Sequence, residues 1–400
     1  MKLLSLLGSL AAAGAISFSA PASAQYSGDV IRIGLLDDLS GVLSDYSGLG
    51  SVEAMKLAIA DFGGSINGTR IELLTFDHQN KPDVAATKAR EWMDQQGADM
   101  VLVLGNSAAS LAVARFAAEK KRVFMTNSGS IRLTNEECTP YSVRVGVDTV
   151  VWSRGTASAV VEHGGKKWFF LSVDNAFGAG LEADASAVIK ANGGTVVGSA
   201  KNPLNTPDFS SYMLQAQASK AEILALANAG NDLVNAIKAA NEFGVTRTMK
   251  MASWVFVTDV HALGLPRTQN MYMADAWYWD QDAQSREWSK RFFDKIKRMP
   301  TSQQAASYSA AYQFLAAAKA AGTDDADKVL SMMRSKPLND MYLRGGTLRP
   351  DGSVARDVYL YQVKTPEESK GAWDYMKIVE KIPADRVFLA KSESKCSLWK

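Results

Sequence analysis

The feature that most constrains this chain is the regular alternation of short β-rich runs with amphipathic stretches across most of its 400 residues. Val30–Leu36 is β-rich, and a Ser/Gly loop separates it from the amphipathic stretch Val52–Phe62. Arg70–Phe76 and Pro82–Gln95 repeat the pair, with proline where a helix's first turn accepts it. Met100–Leu104 is near-continuously apolar, as expected of a parallel strand buried on both faces. Ala109–Lys120 and Val123–Met125 continue the pattern. It resumes after Tyr141 with helices over 149–162, 178–191, 209–219 and 231–243. The strands between them are Lys167–Val173, 195–199, Glu222–Ala227 and 248–254. Alternation of this kind implies right-handed βαβ units and mostly parallel sheets.

Two such series share the chain, divided near 140–148 where Cys138-Thr139-Pro140 breaks the periodicity. Beyond residue 275 the order changes to helices over 283–297, 302–321 and 326–335, then β runs at 357–363 and 373–380. The expected fold is therefore α/β, with two Rossmann-like lobes joined by a multi-stranded hinge. Residues 25–145 with 276–356 would form one lobe, and 146–275 with 357–400 the other. Open α/β sheets hold ligands at the carboxyl ends of their strands, so the strand-to-helix loops carry the functional argument.

The composition, 47% hydrophobic and 22% charged, is that of a globular chain. A net charge of +2 supplies no cationic excess for a phosphate backbone, which argues against a nucleic-acid partner. Lys2, the apolar run Leu3–Phe18 and the small-residue ending Ala22-Ser23-Ala24 describe a secretory leader, residues 1–24, cut before Gln25. The run is shorter than the ~20 residues a membrane span requires. An exported, soluble chain is expected, in a compartment that permits disulfides. Cys138 and Cys396, the only cysteines, are expected to pair; the alternative is two separate buried thiols.

The loops after the strands are small and polar. Asp38-Leu39-Ser40-Gly41 and then Tyr46 follow the first strand. Gly105-Asn106-Ser107-Ala108 follows the third and runs directly into a helix, and Thr126-Asn127-Ser128-Gly129-Ser130 follows the fourth. Helix N-termini and serine hydroxyls suit a carboxylate, although Ser and Asn in such places also serve as plain caps. Trp254, Phe256, Phe177 and Trp277, at or just beyond strand ends, are candidates to wall an apolar or aromatic ligand.

Enzyme motifs are absent. The three histidines, His78, His163 and His261, stand in no zinc-binding context, and neither a Gly-x-Ser-x-Gly elbow nor a Walker loop occurs. Gly178-Ala179-Gly180-Leu181-Glu182-Ala183 fits a dinucleotide fingerprint, but the next strand ends without an acidic residue, so it reads as a tight turn. Asn67-Gly68-Thr69 reads as a turn between helix and strand rather than a glycosylation site. No metal or cofactor is expected.

Taken in order, the Ile31–Leu36 strand with Ser40-Gly41, Gly105-Asn106-Ser107, Ser128-Gly129-Ser130 with Leu133-Thr134, Asp174 to Phe177-Gly178, Asp208-Phe209-Ser210 and Glu242-Phe243-Gly244 resemble the periplasmic leucine/isoleucine/valine-binding proteins. These are the solute-binding components of branched-chain-amino-acid-type ABC importers. The resemblance implies the type I periplasmic binding protein fold and a ligand carboxylate held near Ser107, Ala108, Ser128 and Ser130. It places Tyr46 against the ligand side chain, and Phe177 with Asn228-Ala229 on the second lobe. The family also supplies an acidic residue for an amino group. Here that stretch reads Ser253-Trp254-Val255-Phe256, without a carboxylate, unless Asp174 or Asp259 replaces it. The expected function is capture of a small carboxylate, an aromatic or other organic acid or a branched-chain-type amino acid, by hinge closure. The expected protein is a periplasmic monomer that meets ABC permease subunits. A sensor of the same fold and a secreted α/β enzyme are the rival readings.

Overall fold

The computed structural model describes residues 25–400, so the leader read at 1–24 lies outside the described residues. The first lobe is built on a six-stranded sheet. Its strands are β1 (Val30–Asp37), β2 (Ser65–Ile66), β3 (Thr69–Asp77), β4 (Met100–Val103), β5 (Val123–Thr126) and β6 (Ser142–Arg144). Their spatial order is β2-β3-β1-β4-β5-β6. All neighbours run parallel except β2 and β3, which form a hairpin. Every residue of β4 and β5 is buried, which is why Met100–Val103 can be apolar without alternation.

The second lobe holds β7 (Lys167–Val173), β8 (Thr195–Asn202), β9 (Ile223–Ala227) and β10 (Lys250–Ser253) in the order β10-β9-β7-β8, all parallel. In both sheets the first strand is central and later strands are added on either side. That arrangement creates a topological switch point, where neighbouring loops diverge and leave a crevice.

The C-terminal third contributes to both lobes. Helix Ser302–Ala321 packs lengthwise on helix Gly48–Asp61 of the first lobe. β11 (Tyr272–Asp275), β15 (Val358–Val363) and β16 (Met376–Ile382) form an antiparallel sheet. A small antiparallel sheet of β12 (Leu338–Asn339), β13 (Arg344–Leu348) and β14 (Val354–Ala355) lies between β11 and β15 in the chain, an element absent from the sequence reading. Beyond Phe388 the tail turns back to the first lobe, where the Lys395 amide donates to Asn135. Cys138 and Cys396 form the expected disulfide, with Cα atoms 5.6 Å apart and a sequence separation of 258. Closing so long a loop is worth ~5 kcal/mol in a chain-closure treatment.

Three local readings need correction. Asn67 and Gly68, at φ 49° and 86°, form the turn of the β2–β3 hairpin rather than a helix-to-strand connection. Gly178-Ala179-Gly180 lies inside helix Ala176–Ala191, whose start is capped by Asn175, and is no tight turn. The helix read over 149–162 is interrupted by a π-turn at Ser153–Ala157. Among the described residues no helix is long and apolar enough to cross a membrane.

Candidate functional site

A cavity of about 300 Å³ lies between the two sets of strand ends, at the small end of the range for ligand pockets. The first lobe contributes Leu43 and Tyr46 after β1, Gly105 to Ala108 after β4, and Asn127 to Gly129 after β5. The second contributes Val173 and Asn175 to Phe177 after β7, Leu204 after β8, Asn228, Ala229 and Asp232 after β9, and Trp254 and Phe256 after β10. Pro82 and Gln303 complete the wall.

Two adjacent aspartates at the end of β1 shape the loop that presents Tyr46. Asp38 accepts the Gly41 and Leu43 amides at 2.9 and 3.1 Å. Asp37 accepts the Asp38 amide at 2.8 Å and the Ser47 hydroxyl at 3.0 Å. From the start of helix Ser302–Ala321, Thr301 donates to the Tyr46 carbonyl and Gln304 to the Ser47 carbonyl. Burial pushes the Asp37 carboxyl up to about 8, while its Oδ2 has no hydrogen-bond partner among the described residues.

That shift has a defined sign. The folded protein keeps the Asp37 proton up to about pH 8, whereas an ordinary aspartate releases it near 3.8. Stability contributed by this group is therefore whole below about pH 4 and is lost as pH rises toward 8. Asp37→Asn keeps the oxygen that Asp38 and Ser47 use and cannot titrate. Urea unfolding is expected to find the variant more stable than the parent at pH 8, by ~2 kcal/mol or more, and less so at pH 5. Identical differences at both pH values would refute the assignment.

After β4, Asn106 caps helix Ser107–Glu119 by accepting the Ala109 amide at 2.9 Å. The amides of Ser107 and Ala108 precede any intrahelical acceptor and face no partner among the described residues. The Ser107 and Ser128 hydroxyls lie 3.0 Å apart and are nearly buried. Behind the Ser128 loop sits Arg144, fully buried, which donates to the carbonyls of Ser128 and Ser130. The Gly129 carbonyl accepts the Thr149 amide at 2.9 Å. With its acceptors occupied in this way, the loop offers the cavity a hydroxyl rather than carbonyl oxygens. The cleft is thus donor-rich on this side.

The opposite wall is aromatic. Asn175 accepts the Phe177 and Gly178 amides and so fixes Phe177 on the first turn of its helix. Phe177 and Trp254 have centroids 6.3 Å apart, and Trp254 and Phe256 5.9 Å. Phe256 stacks across the cleft on Tyr46 at 5.1 Å with planes 7° apart. Burial lifts the Tyr46 phenol above its ordinary range. One continuous file of rings therefore joins the lobes.

Tyr46, Asn106, Ser107, Ala108, Ser128, Gly129, Phe177, Asn228, Ala229, Trp254 and Phe256 are brought together at this cavity. Ser130, Asp174 and Trp277 are not among its lining. The Ser130 carbonyl is drawn back to Arg144 as the chain enters a 3-10 turn. Asp174 is exposed and faces Lys201 at 3.6 Å. Trp277 is buried edge-on against Trp288, 5.8 Å away, in the interior. Asp259 is used locally, accepting the Phe256 amide at 2.8 Å. The carboxylate that does reach the wall is Asp232, which the sequence presents only as an acidic residue in a helix's first turn.

The family model for periplasmic binding proteins matches residues 30–372. The chain belongs to that family. A crystal structure of a periplasmic binding protein from Burkholderia mallei is 52% identical, with a TM-score of 0.91 over 93% of this chain and 100% of that one. A branched chain amino acid ABC transporter periplasmic ligand-binding protein from Burkholderia xenovorans is 37% identical, with a TM-score of 0.82 over 92% and 100%. A solute-binding protein of an ABC transporter from Rhodopseudomonas palustris, in complex with 3,4-dihydroxy benzoic acid, shares the fold at 20% identity and a TM-score of 0.81, over 89% and 98%. Curated relatives called Leu/Ile/Val-binding protein homolog 4, from Brucella species, are 24% identical over 249 residues; the match spans 58% of this chain and 58% of theirs. The family and its solved neighbours are periplasmic binding proteins rather than enzymes. The lobes and parallel sheets of this chain are those the type I fold implied.

Proposed function

We propose that this protein captures a small aromatic carboxylate in the interlobe cleft and presents it, lobes closed, to the permease subunits of an ABC importer. The observation that carries the reading is the file of Tyr46, Phe256, Trp254 and Phe177 facing a helix N-terminus and a serine pair. Rings supply apolar area and a flat surface for stacking. Unpartnered amides and hydroxyls supply charge-assisted hydrogen bonds to a carboxylate. Relatives with the same fold, one the ligand-binding protein of a branched chain amino acid ABC transporter and one in complex with 3,4-dihydroxy benzoic acid, give the reading its chemical range. Export by the 1–24 leader would deliver the mature chain to the periplasm as a monomer. The closing bodies would be residues 25–145 with 276–356, and 146–275 with 357–400, with the tail past Phe388 strapped to the first.

A second reading, an amino acid, is favoured by Asp232, whose carboxylate on the second lobe's wall is a potential partner for an α-ammonium group. Calorimetric titration with benzoate and with leucine separates the two. Ser107→Ala and Ser128→Ala are each expected to weaken the bound acid by about 10- to 100-fold, the range of a hydrogen bond to a charged group. Unchanged affinity in both variants would reduce these serines to helix and loop caps and remove the carboxylate site.

A further inference from the structure

No Lys, Arg or His lines the cavity, so the charge of a bound carboxylate is met there by neutral donors. A carboxylate offers about four lone-pair sites to hydrogen bonds. The cradle at Ser107 and Ser128 falls short of that number. The amides of Ser107 and Ala108 supply two protons, but the two hydroxyls bond to each other at 3.0 Å, which leaves one hydroxyl proton between them. Gln303 stands beside this cradle. It is the second residue of helix Ser302–Ala321, 7% exposed, and part of the cavity wall. Its main-chain carbonyl accepts the Asn127 side chain at 3.3 Å and the Ser307 hydroxyl at 2.9 Å, which holds its backbone against the residue that precedes Ser128. Its side-chain amide makes no hydrogen bond among the described residues. Neither polar atom of that amide is sealed off, as the Asn228 oxygen and the Trp254 indole nitrogen are. The Ser302 and Gln303 amides likewise precede any intrahelical acceptor, so the positive end of a 20-residue helix backs the side chain.

We infer that Gln303 is a specificity-determining residue of the cleft, its Nε2 donating to the carboxylate of the bound solute as the donor that the serine cradle lacks. This inference rests on the carboxylate held at Ser107 and Ser128 in the reading above, and it applies to an aromatic acid and to an amino acid alike. It reads the acid group and not the ring or chain beyond it. The acid is then gripped from two crossings of the chain, by the loops after β4 and β5 and by the start of a helix that returns some 170 residues later.

The test is calorimetric titration of the parent protein, Gln303→Met and Gln303→Glu with benzoate and with leucine, at about pH 8 and about pH 5, the parent's tighter ligand serving as the probe. Gln303→Met keeps the length of the side chain and removes the donor, and is expected to bind the probe about 10- to 100-fold more weakly at both pH values. Gln303→Glu sets a second carboxylate against the first. It is expected to bind more weakly than Gln303→Met at pH 8 and to recover at pH 5, where the carboxyl, its pKa raised by a neighbouring anion, takes up a proton and can donate. An acidic residue in a helix's first turn favours the fold, so urea unfolding of empty Gln303→Glu is expected at or above the parent's midpoint, and the lost affinity is not lost folding. Gln303→Met within about threefold of the parent would overturn the inference and leave the serine cradle standing. A Gln303→Glu affinity that does not rise between pH 8 and pH 5 would overturn it too, and decides the matter where Gln303→Met does not fold. A parent protein that binds neither benzoate nor leucine would remove the carboxylate reading and this inference together.

Discussion

Gly230→Ala is expected to lower ligand affinity by ~100-fold or more while leaving the empty protein folded. Gly230 begins the helix after β9 and sits at φ +59°, a conformation that costs other residues about 1–2 kcal/mol. A Cβ there would lie 2.1 Å from the carbonyl oxygen of Val42, which belongs to the opposite lobe. The next residue, Asn231, donates its amide to that same oxygen at 3.0 Å. The backbone strain is borne whether the lobes are together or apart, but the collision exists only when they meet. A substitution that penalises one of two states shifts the population between them by its full differential cost, and the ligand must make up the difference. Small-angle scattering is expected to record a smaller contraction on ligand addition than in the parent protein. A variant that contracts and binds like the parent would show that the Val42–Asn231 contact does not define the closed state.

Arg144→Met is expected to destabilise the fold by about 3–5 kcal/mol and to weaken binding with it. The guanidinium is inaccessible to solvent, and burial pulls its pKa down, yet it holds two loop carbonyls and stands 4.0 Å from the Asp148 carboxylate. Removing it leaves those oxygens unpaired and Asp148 as a buried charge without its partner. Asp148 also caps the next helix by accepting the Val151 amide at 2.9 Å, so the damage spreads to helix Thr149–Trp152. Urea unfolding measures the loss directly. A change below about 1 kcal/mol would mean that the Ser128–Ser130 loop is held by its neighbours and not by this side chain.

The lobes, and the loops that meet between them, were legible because parallel strands buried on both faces leave unbroken apolar runs such as Met100–Leu104. The loops after such strands have no choice but to gather at one edge. What was hidden depends on contacts far apart in sequence. Gln303 and Asn127 reach the same wall from different crossings of the chain, and Asn127 is held there by the Gly146 amide and the Gln303 carbonyl. Asp232 carries the ordinary signature of a first-turn acid. Trp277, Ser130 and Asp174 share composition and position with true wall residues; only the packing of Trp288, Arg144 and Lys201 sets them aside. The β12–β14 sheet was missed because strands of two to five residues carry no readable period. The π-turn at Ser153–Ala157 likewise has no local sequence signal.

The C-terminal tail leaves the second lobe, crosses by way of Glu393, which pairs with Arg154 at 2.7 Å, and is bonded through Cys396 to the first. Two bodies joined only by hinge strands sample many relative orientations when empty. A covalent strap on one flank removes part of that ensemble in advance. The solute then has less conformational entropy to extinguish when the cleft shuts, and more of its interaction energy is left over as affinity.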